Sequence, residues 1–309
     1  MFITPIPILT DFLFTKKDIT LKLVKKENWM NITLVSSPQE FSRLIEPLLM
    51  QKEACNNLML GIIQRLLDDP EGEEYGYLGY VEQDHKVVFA FMQTPKNWIL
   101  ADASNVDERV VQTITQFLFN RHIHIPSIIG PEKVATMFVK QWEQLRGLKA
   151  TIHMEQLIYQ LDNVNTVPIA EGELIPASET DHDLIALWLV QFGIEANEHI
   201  SEEHANKAAA KFIGNQSMYV WQVKGEPVSM VNRSRRTKHG ATINAVFTPD
   251  IHKQKGYATS AVATLSEKLL ESGFQFCSLY TDLKNPVSNS IYKKIGYYVV
   301  GDSIVYKFS

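Results

Sequence analysis

The chain has 309 residues, a formal net charge of -5, 45% hydrophobic residues and 21% charged residues. Its length is about twice that of a typical domain and predicts two folded domains. The negative charge argues against a nucleic-acid or anionic-membrane partner, and no apolar run reaches the ~18 residues that cross a bilayer.

The first 30 residues are predicted to form a peripheral segment. They begin apolar, but they carry Pro5 and Pro7 and lack the leading basic region of a signal peptide. Met30 directly precedes the first strand-like run, so we treat it as an alternative start of translation.

The first half, residues 31–165, has a predicted order of strand, helices, three strands, helix, strand, helix and strand. Ser36 or Ser37 can cap the helical stretch after the first strand, and Pro47 is expected to kink or divide that stretch. The later elements are three strands within 75–103, a helix at about 107–121, a strand at 126–131, a helix at 132–147 and a strand at 153–161.

The second half, residues 166–309, repeats this order after a polar linker at 162–172 that contains Pro168. Its predicted elements are a strand at 172–178, helices at 180–194 and 201–214, strands at 217–223, 226–236 and 241–248, a helix at 256–273, a strand at 274–281, a helix at 286–296 and a strand at 297–308. The two halves share an element order without obvious residue identity, so we predict a structural duplication.

Two sequence blocks of the second half resemble a known family. The stretch "VFTPDIHKQKGYATS" is similar to the acetyl-coenzyme A signature of the GNAT acetyltransferases, with Lys253, Gly256 and Ala258 at its characteristic places. The stretch "LYTDLKNPVSNSIYKKIGY" resembles the second block of that family, with Asn285 and Tyr292 at the expected positions. The resemblance covers about 170–309. It implies an α/β (α+β) fold of two GNAT-like domains, each a mixed, mostly antiparallel sheet flanked by helices.

The first block also has a direct physical interpretation. A helix that starts near Gly256 leaves several backbone N–H groups unpaired, and a pyrophosphate is a natural acceptor for them. Lys253 and Lys255 add positive charge, although lysine at 253 lacks the planar fork of arginine. A solvated basic turn that only caps a helix is the alternative interpretation. Together, the two blocks predict the following cofactor-binding residues: Val246, Phe247, Thr248, Lys253, Gln254, Lys255, Gly256, Tyr257, Ala258, Thr259, Asn285, Ser288 and Asn289.

The resemblance assigns Tyr292 to the coenzyme sulfur as a general acid. A phenol of pKa ~10 that protonates a thiolate with a conjugate acid near ~8.5 moves the proton uphill by about 2 kcal/mol. A packed aromatic side chain on an amphipathic helix is the alternative. Backbone N–H groups around Val246 and Phe247 are expected to hold the oxyanion.

The general base is less well defined by the sequence. Glu195 is the first choice, because it directly follows an apolar helix at a place that lines the acceptor cleft in the family. The other candidates are Glu198, His199, His239 and Asp282.

The first half carries no such loop. The corresponding stretch "ILADASNVDERVVQ" has no glycine and contains Asp102, Asp107 and Glu108, whose charges repel a pyrophosphate. We therefore predict a degenerate GNAT-like domain at 31–165 and a catalytic domain at 166–309.

The resulting hypothesis is an acetyl-coenzyme A-dependent N-acetyltransferase that acts by direct transfer to a primary amine. Acetyl-coenzyme A is the expected cosubstrate, a small-molecule amine the expected partner, and no metal is expected. A coenzyme A-binding regulatory module without turnover and a transferase for a longer acyl group remain as alternatives.

Cys55 and Cys277 lie in apolar stretches and are expected to be buried reduced thiols, which favours a cytoplasmic location. The oligomeric state is left open.

Overall fold

The computed structural model describes residues 30–69 and 74–309. The peripheral segment expected at 1–30 lies outside the described residues, apart from Met30, which opens the first strand.

The strands and helices follow each other along the chain in the order that the sequence predicts for both halves. The strands are β1 (Met30–Val35), β2 (Leu78–Gln83), β3 (Lys86–Gln93), β4 (Trp98–Leu100), β5 (Ser127–Gly130), β6 (Ala150–Leu161), β7 (Glu173–Pro176), β8 (Met218–Val223), β9 (Glu226–Arg236), β10 (Gly240–Phe247), β11 (Phe276–Asp282) and β12 (Tyr298–Phe308). The α-helices are α1 (Pro38–Leu49), α2 (Asn57–Asp68), α3 (Glu108–Asn120), α4 (Glu132–Arg146), α5 (His182–Glu195), α6 (Glu202–Gly214), α7 (Tyr257–Glu271) and α8 (Pro286–Ile295).

The helix that Pro47 was expected to divide is in fact two helices, but the break lies elsewhere. Ser37 caps α1 by accepting a hydrogen bond from the Glu40 backbone N–H, and α1 continues past Pro47 to Leu49. A 3-10 turn at Met50–Lys52 then leads towards α2. The break between α1 and α2 therefore lies a few residues after the proline.

All the described strands belong to one 12-stranded sheet with the order β1-β2-β3-β4-β5-β12-β6-β11-β10-β9-β8-β7. Neighbouring strands run antiparallel, except for the parallel pairs β4–β5 and β10–β11. The order β1 to β5 on one side mirrors the order β7 to β11 on the other. Two mixed, mostly antiparallel half-sheets therefore confirm the predicted fold class.

The two halves exchange their last strands. β6 belongs to the first half in sequence, yet it pairs with β11 through Leu279 and Tyr159. β12 closes the chain, yet it pairs with β5 through Ile304 and Gly130. β6 and β12 also pair with each other and join the half-sheets. The boundary at 165/166 stays a prediction, while the sheet itself is continuous across it.

Helices cover both faces of the second half-sheet. The neighbouring β9 residues Met230 and Val231 point to opposite faces, because side chains alternate along a strand. Met230 is buried in a core with side chains of α5 and α6, whereas Val231 is buried in a core with side chains of α7 and α8. The first half has a core of its own, built around Trp98, Trp142 and Phe41.

Cys55 and Cys277 are free thiols, and Cys277 is buried. Burial raises the pKa of the Cys277 thiol to about 12, so it is protonated and inert at neutral pH. Within residues 30–69 and 74–309, every helix is too short or too polar to cross a bilayer.

Candidate functional site

The two parallel strands at the centre of the second half separate at one end. β10 pairs with β11 from Gly240 to Ile243. The β10–β9 pairing then shifts between Asn244 and Phe247, where Ala245 adopts a left-handed φ of 47°. Such a bulge bends a strand and releases backbone groups from the ladder. A wedge-shaped opening results between the ends of β10 and β11.

The start of α7 faces this opening. Gly256 precedes the helix with φ 83°, a conformation that favours glycine, and no side chain caps the helix there. The first turn contains no acidic residue. The amides of Tyr257, Ala258 and Thr259 therefore retain the partial positive charge of a helix N-terminus.

The second wall of the opening is α8. Asn285 caps this helix, because its side-chain oxygen accepts a hydrogen bond of 3.0 Å from the Ser288 backbone N–H. Pro286 occupies the first turn, where its missing N–H costs nothing. The cap thus uses the oxygen of Asn285 and leaves its amide nitrogen as the group that can meet a ligand.

A groove of about 510 Å³ lies between these elements. It is lined by predicted residues from both sequence blocks and by three residues that sequence reasoning missed, His252, Val287 and Ile291. The predicted residues along the groove are Glu195, Val246, Phe247, Thr248, Lys253, Gln254, Gly256, Tyr257, Ala258, Thr259, Asn285, Ser288 and Tyr292. The missed residues follow from helical and turn spacing once the neighbouring motif residues are placed.

Two predicted cofactor residues lie outside this lining. Asn289 faces the other side of α8, where its amide oxygen accepts a hydrogen bond of 3.3 Å from the Tyr159 hydroxyl. Its amide nitrogen donates to the carbonyl of Asp282 at 3.2 Å. Lys255 is exposed in the turn before α7. The part played by these residues in cofactor binding stays a prediction.

Lys253 is already paired with carboxylates of the chain. Its Nζ lies 2.5 Å from Glu195 Oε1 and 2.8 Å from Asp250 Oδ1. The hydrogen bond to Asp250, followed by that to Glu195, raises the pKa of Lys253. The positive charge beside the helix N-terminus is therefore matched within the protein itself.

Tyr292 forms the floor of the groove. It is 8% exposed, and its ring centroid lies 6.3 Å from that of Tyr159 and 6.0 Å from that of Tyr297. Because Tyr159 belongs to β6, the first half of the chain supplies part of the wall behind this side chain. Among the described residues, the Tyr292 hydroxyl has no hydrogen-bond partner.

Burial raises the pKa of Tyr292 to about 12. For an ordinary phenol, proton transfer to a thiolate is uphill by about 2 kcal/mol. With the shifted pKa, the same transfer is uphill by about 5 kcal/mol, and the general-acid role of Tyr292 stays a prediction. Tyr292 therefore keeps its proton at neutral pH.

The candidate bases are dispersed. Glu195 lines the groove, whereas His239 pairs with Glu53 of the first half at 2.8 Å. Asp282 accepts a hydrogen bond of 2.7 Å from the Lys284 backbone N–H. Glu198 and His199 lie exposed between α5 and α6.

The equivalent helix of the first half, α3, has a different start. Asp107 caps it by accepting hydrogen bonds from the backbone N–H groups of Arg109 at 3.0 Å and Val110 at 3.1 Å. Asp102 is paired with Lys52 at 2.7 Å. The hollow at the ends of β4 and β5 has a volume of only about 20 Å³, room for about one water molecule. In the first half, the Asp107 carboxylate thus caps the backbone N–H groups at the start of α3, whereas the equivalent N–H groups of α7 are uncapped.

Comparisons with known proteins give a sequence match in the second half and structural matches over both halves. The family model described as "FR47-like protein" matches residues 220–304, which span both blocks of the groove. A GNAT-family acetyltransferase of Colwellia psychrerythraea is similar over 90% of this chain and 99% of its own, with a TM-score of 0.56 and 11% identity. A GCN5-related N-acetyltransferase of Sphaerobacter thermophilus is similar over 90% of this chain and 94% of its own, with a TM-score of 0.58 and 12% identity.

A third structure is a tandem GNAT protein from the clavulanic acid biosynthesis pathway. It is similar over 91% of this chain and 98% of its own, with a TM-score of 0.54 and 11% identity. The chain has a tandem GNAT fold. No curated protein matches it in sequence. Within this tandem GNAT fold, the family model begins in β8 and ends in β12, so it matches only residues of the second half.

Proposed function

We propose that the chain is an acetyl-coenzyme A-dependent N-acetyltransferase that moves the acetyl group directly to a primary amine. The observation that carries this proposal is the uncapped N-terminus of α7 at the wedge between β10 and β11. Fold alone does not fix a function, so the proposal rests on this site.

The groove has the features that a coenzyme A thioester needs. The amides of Tyr257, Ala258 and Thr259 can accept the negative charge of a diphosphate without reorganisation. The bulge at Ala245 interrupts the ladder of β10, so backbone groups there can pair with the amide-containing arm of the coenzyme. The volume of about 510 Å³ fits a ligand of this class.

The proposed chemistry is attack of a neutral amine on the thioester carbonyl. A primary amine of pKa ~10.4 is almost fully protonated at pH 7, and its deprotonation costs about 4.6 kcal/mol. Glu195 is the proposed base, because it alone of the five candidates lines the groove. Backbone N–H groups around Val246 and Phe247 are proposed to hold the oxyanion. When the tetrahedral intermediate collapses, Tyr292 donates a hydrogen bond to the departing thiolate, and the proton that the attacking nitrogen loses passes to that thiolate.

A coenzyme A-binding module without turnover is the second candidate. The ion pair between Glu195 and Lys253 favours it, because a carboxylate held by a lysine ammonium is not free to contact the acceptor amine. A transferase for a longer acyl group would bind the same coenzyme A, since the proposed phosphate site contacts the coenzyme and not the acyl chain. The small-amine acceptor and the cytoplasmic location stay predictions from the sequence.

The deciding experiment is a thiol-release assay with acetyl-coenzyme A over a panel of small primary amines, alongside calorimetric titration with coenzyme A. We expect one equivalent of coenzyme per chain and release of free thiol with at least one amine. Binding without thiol release supports the regulatory module. The absence of binding contradicts both, and two equivalents contradict the assignment of the first half as degenerate.

A further inference from the structure

The Glu195 carboxylate forms an ion pair with Lys253, the lysine that a coenzyme phosphate at the α7 N-terminus would approach. Glu195 is the last residue of α5, and Lys253 lies in the turn before α7, 58 residues later. Their Oε1 and Nζ atoms are 2.5 Å apart, and both side chains line the same groove. This contact therefore joins the acceptor side of the groove to its phosphate side.

The charged side chains around the turn before α7 balance one another within the protein. Lys253 contacts both Glu195 and Asp250, so the two carboxylates balance Lys253 together with the exposed Lys255. A diphosphate at the α7 amides meets the Glu195 carboxylate across the groove, and like charges at short range repel. A lysine ammonium is a compact charge on a flexible stem, so it can turn from one oxyanion to another.

We propose that Glu195 competes with the coenzyme diphosphate for Lys253, and that coenzyme binding releases Glu195 for the acceptor amine. The inference rests on the proposed function and adds a link between its two substrates. Once Lys253 turns to the phosphate, the Glu195 carboxylate takes a proton from the acceptor ammonium. The N–H bond breaks, an O–H bond forms on the carboxylate, and the nitrogen lone pair becomes free to attack. The base is thus available chiefly when the acyl donor is in place.

The first test is calorimetric titration of the full chain with coenzyme A. We expect Glu195→Gln to tighten binding about two- to fivefold, the range that corresponds to an exposed ion pair. Glu202→Gln is the matched control, because Glu202 is an exposed acid in the first turn of α6 and lies outside the groove lining. It should leave the affinity unchanged.

A double-mutant cycle tests whether the effect passes through Lys253. In a Lys253→Gln background, Glu195→Gln should tighten coenzyme binding less than in the unmodified chain, because the lysine for which Glu195 competes is gone and only the direct repulsion remains. An equal gain in both backgrounds, or an equal gain from Glu202→Gln, would show a general charge effect and overturn the inference. Unchanged affinity in Glu195→Gln would also overturn it.

Steady-state kinetics test the release step. Glu195→Gln should lower the KM for acetyl-coenzyme A and also lower kcat, since the competitor and the base are the same group. A lower KM with unchanged kcat would refute the release of Glu195 towards the acceptor. If the unmodified chain binds and turns over while Glu195→Gln behaves identically, this inference and the assignment of Glu195 as the base fail, while the proposed acetyl transfer stands. If the unmodified chain binds no coenzyme, both fail.

Discussion

At the scale of single residues, Tyr292 shows how the fold changes a side chain that the motif identifies. The motif places a tyrosine seven residues after Asn285, and the structure surrounds it with Tyr159 and Tyr297. Burial raises its pKa to about 12. A hydroxyl that keeps its proton and has no partner among the described residues is suited to donate one hydrogen bond to charge that develops nearby.

Tyr292→Phe should lower kcat about 10- to 100-fold, while the dissociation constant for coenzyme A changes less than about twofold. The substitution removes the donor and keeps the packed ring. Thiol release and calorimetry measure the two quantities. Tyr306→Phe is the control, because that hydroxyl contacts Thr136 of the first half at 3.1 Å, away from the groove. An unchanged kcat in Tyr292→Phe contradicts the proposed donor role.

The same residue should make the protein sensitive to alkali. Folded Tyr292 keeps its proton up to a pKa of about 12, whereas an unfolded tyrosine loses it near ~10. The protonated form is therefore favoured in the folded state, so its stability contribution is complete below pH ~10 and is lost as the pH rises towards ~12. Urea unfolding between pH 8 and 11 should show a steeper loss of stability in the unmodified chain than in Tyr292→Phe. Identical pH dependence would contradict the shifted pKa.

At the scale of elements, the helices α3 and α7, which each connect the two strands of a parallel pair, differ at their first residues, and this difference explains why one half has a groove. α3 begins with Asp107, whose carboxylate occupies its amides. α7 begins with Gly256, which contributes no side chain. The backbone N–H groups at this helix start are therefore capped by a side chain in the first half and uncapped in the second half.

Gly256→Ala should lower the free energy of unfolding by about 1 kcal/mol and weaken coenzyme binding. The penalty comes from the left-handed φ of 83°, since the nearest atom to an added Cβ is the Ala170 Cβ at an ordinary 3.7 Å. Gly214→Ala is the control. Gly214 ends α6 without a positive φ, and nothing lies within 4 Å of an added Cβ. Chemical unfolding and calorimetry compare the two variants, and equal effects at both positions would remove the special role of the Gly256 conformation.

At the scale of the whole molecule, the exchange of β6 and β12 makes the halves depend on each other. β5 gains its outer partner from the end of the chain, and β11 gains its outer partner from the first half. Tyr159 of β6 also supports Tyr292. The first half is thus a structural part of the candidate site even though its own hollow is nearly closed.

The exchange predicts that a chain cut within the linker 162–172 stays together. A protease site inserted there and cleaved should leave one species in size-exclusion chromatography under native conditions, with the groove intact by coenzyme titration. Each half expressed alone should be insoluble or unfolded, because it lacks a strand of its own sheet and exposes an unpaired edge. Separation of the cleaved halves into two folded species would contradict this interdependence.

The sequence determined the elements and most of the residues that line the groove. Strand alternation, helix caps such as Ser37 and Ser201, and the glycine before α7 are local signals, and each was read correctly because its cause lies within a few residues. The duplicated order also followed from the sequence, since it depends only on the order of such signals.

Tertiary structure alone decided which groups meet. The contact of Glu195 with Lys253, the position of Asn289 on the far side of α8 and the exchange of β6 with β12 each join segments that are distant in sequence or depend on which face a helix buries. The raised pKa of Tyr292 has the same origin, because desolvation depends on the walls that the fold assembles around a side chain. Local spacing specifies the backbone of a site, whereas the charge balance within it is set by contacts that only packing creates.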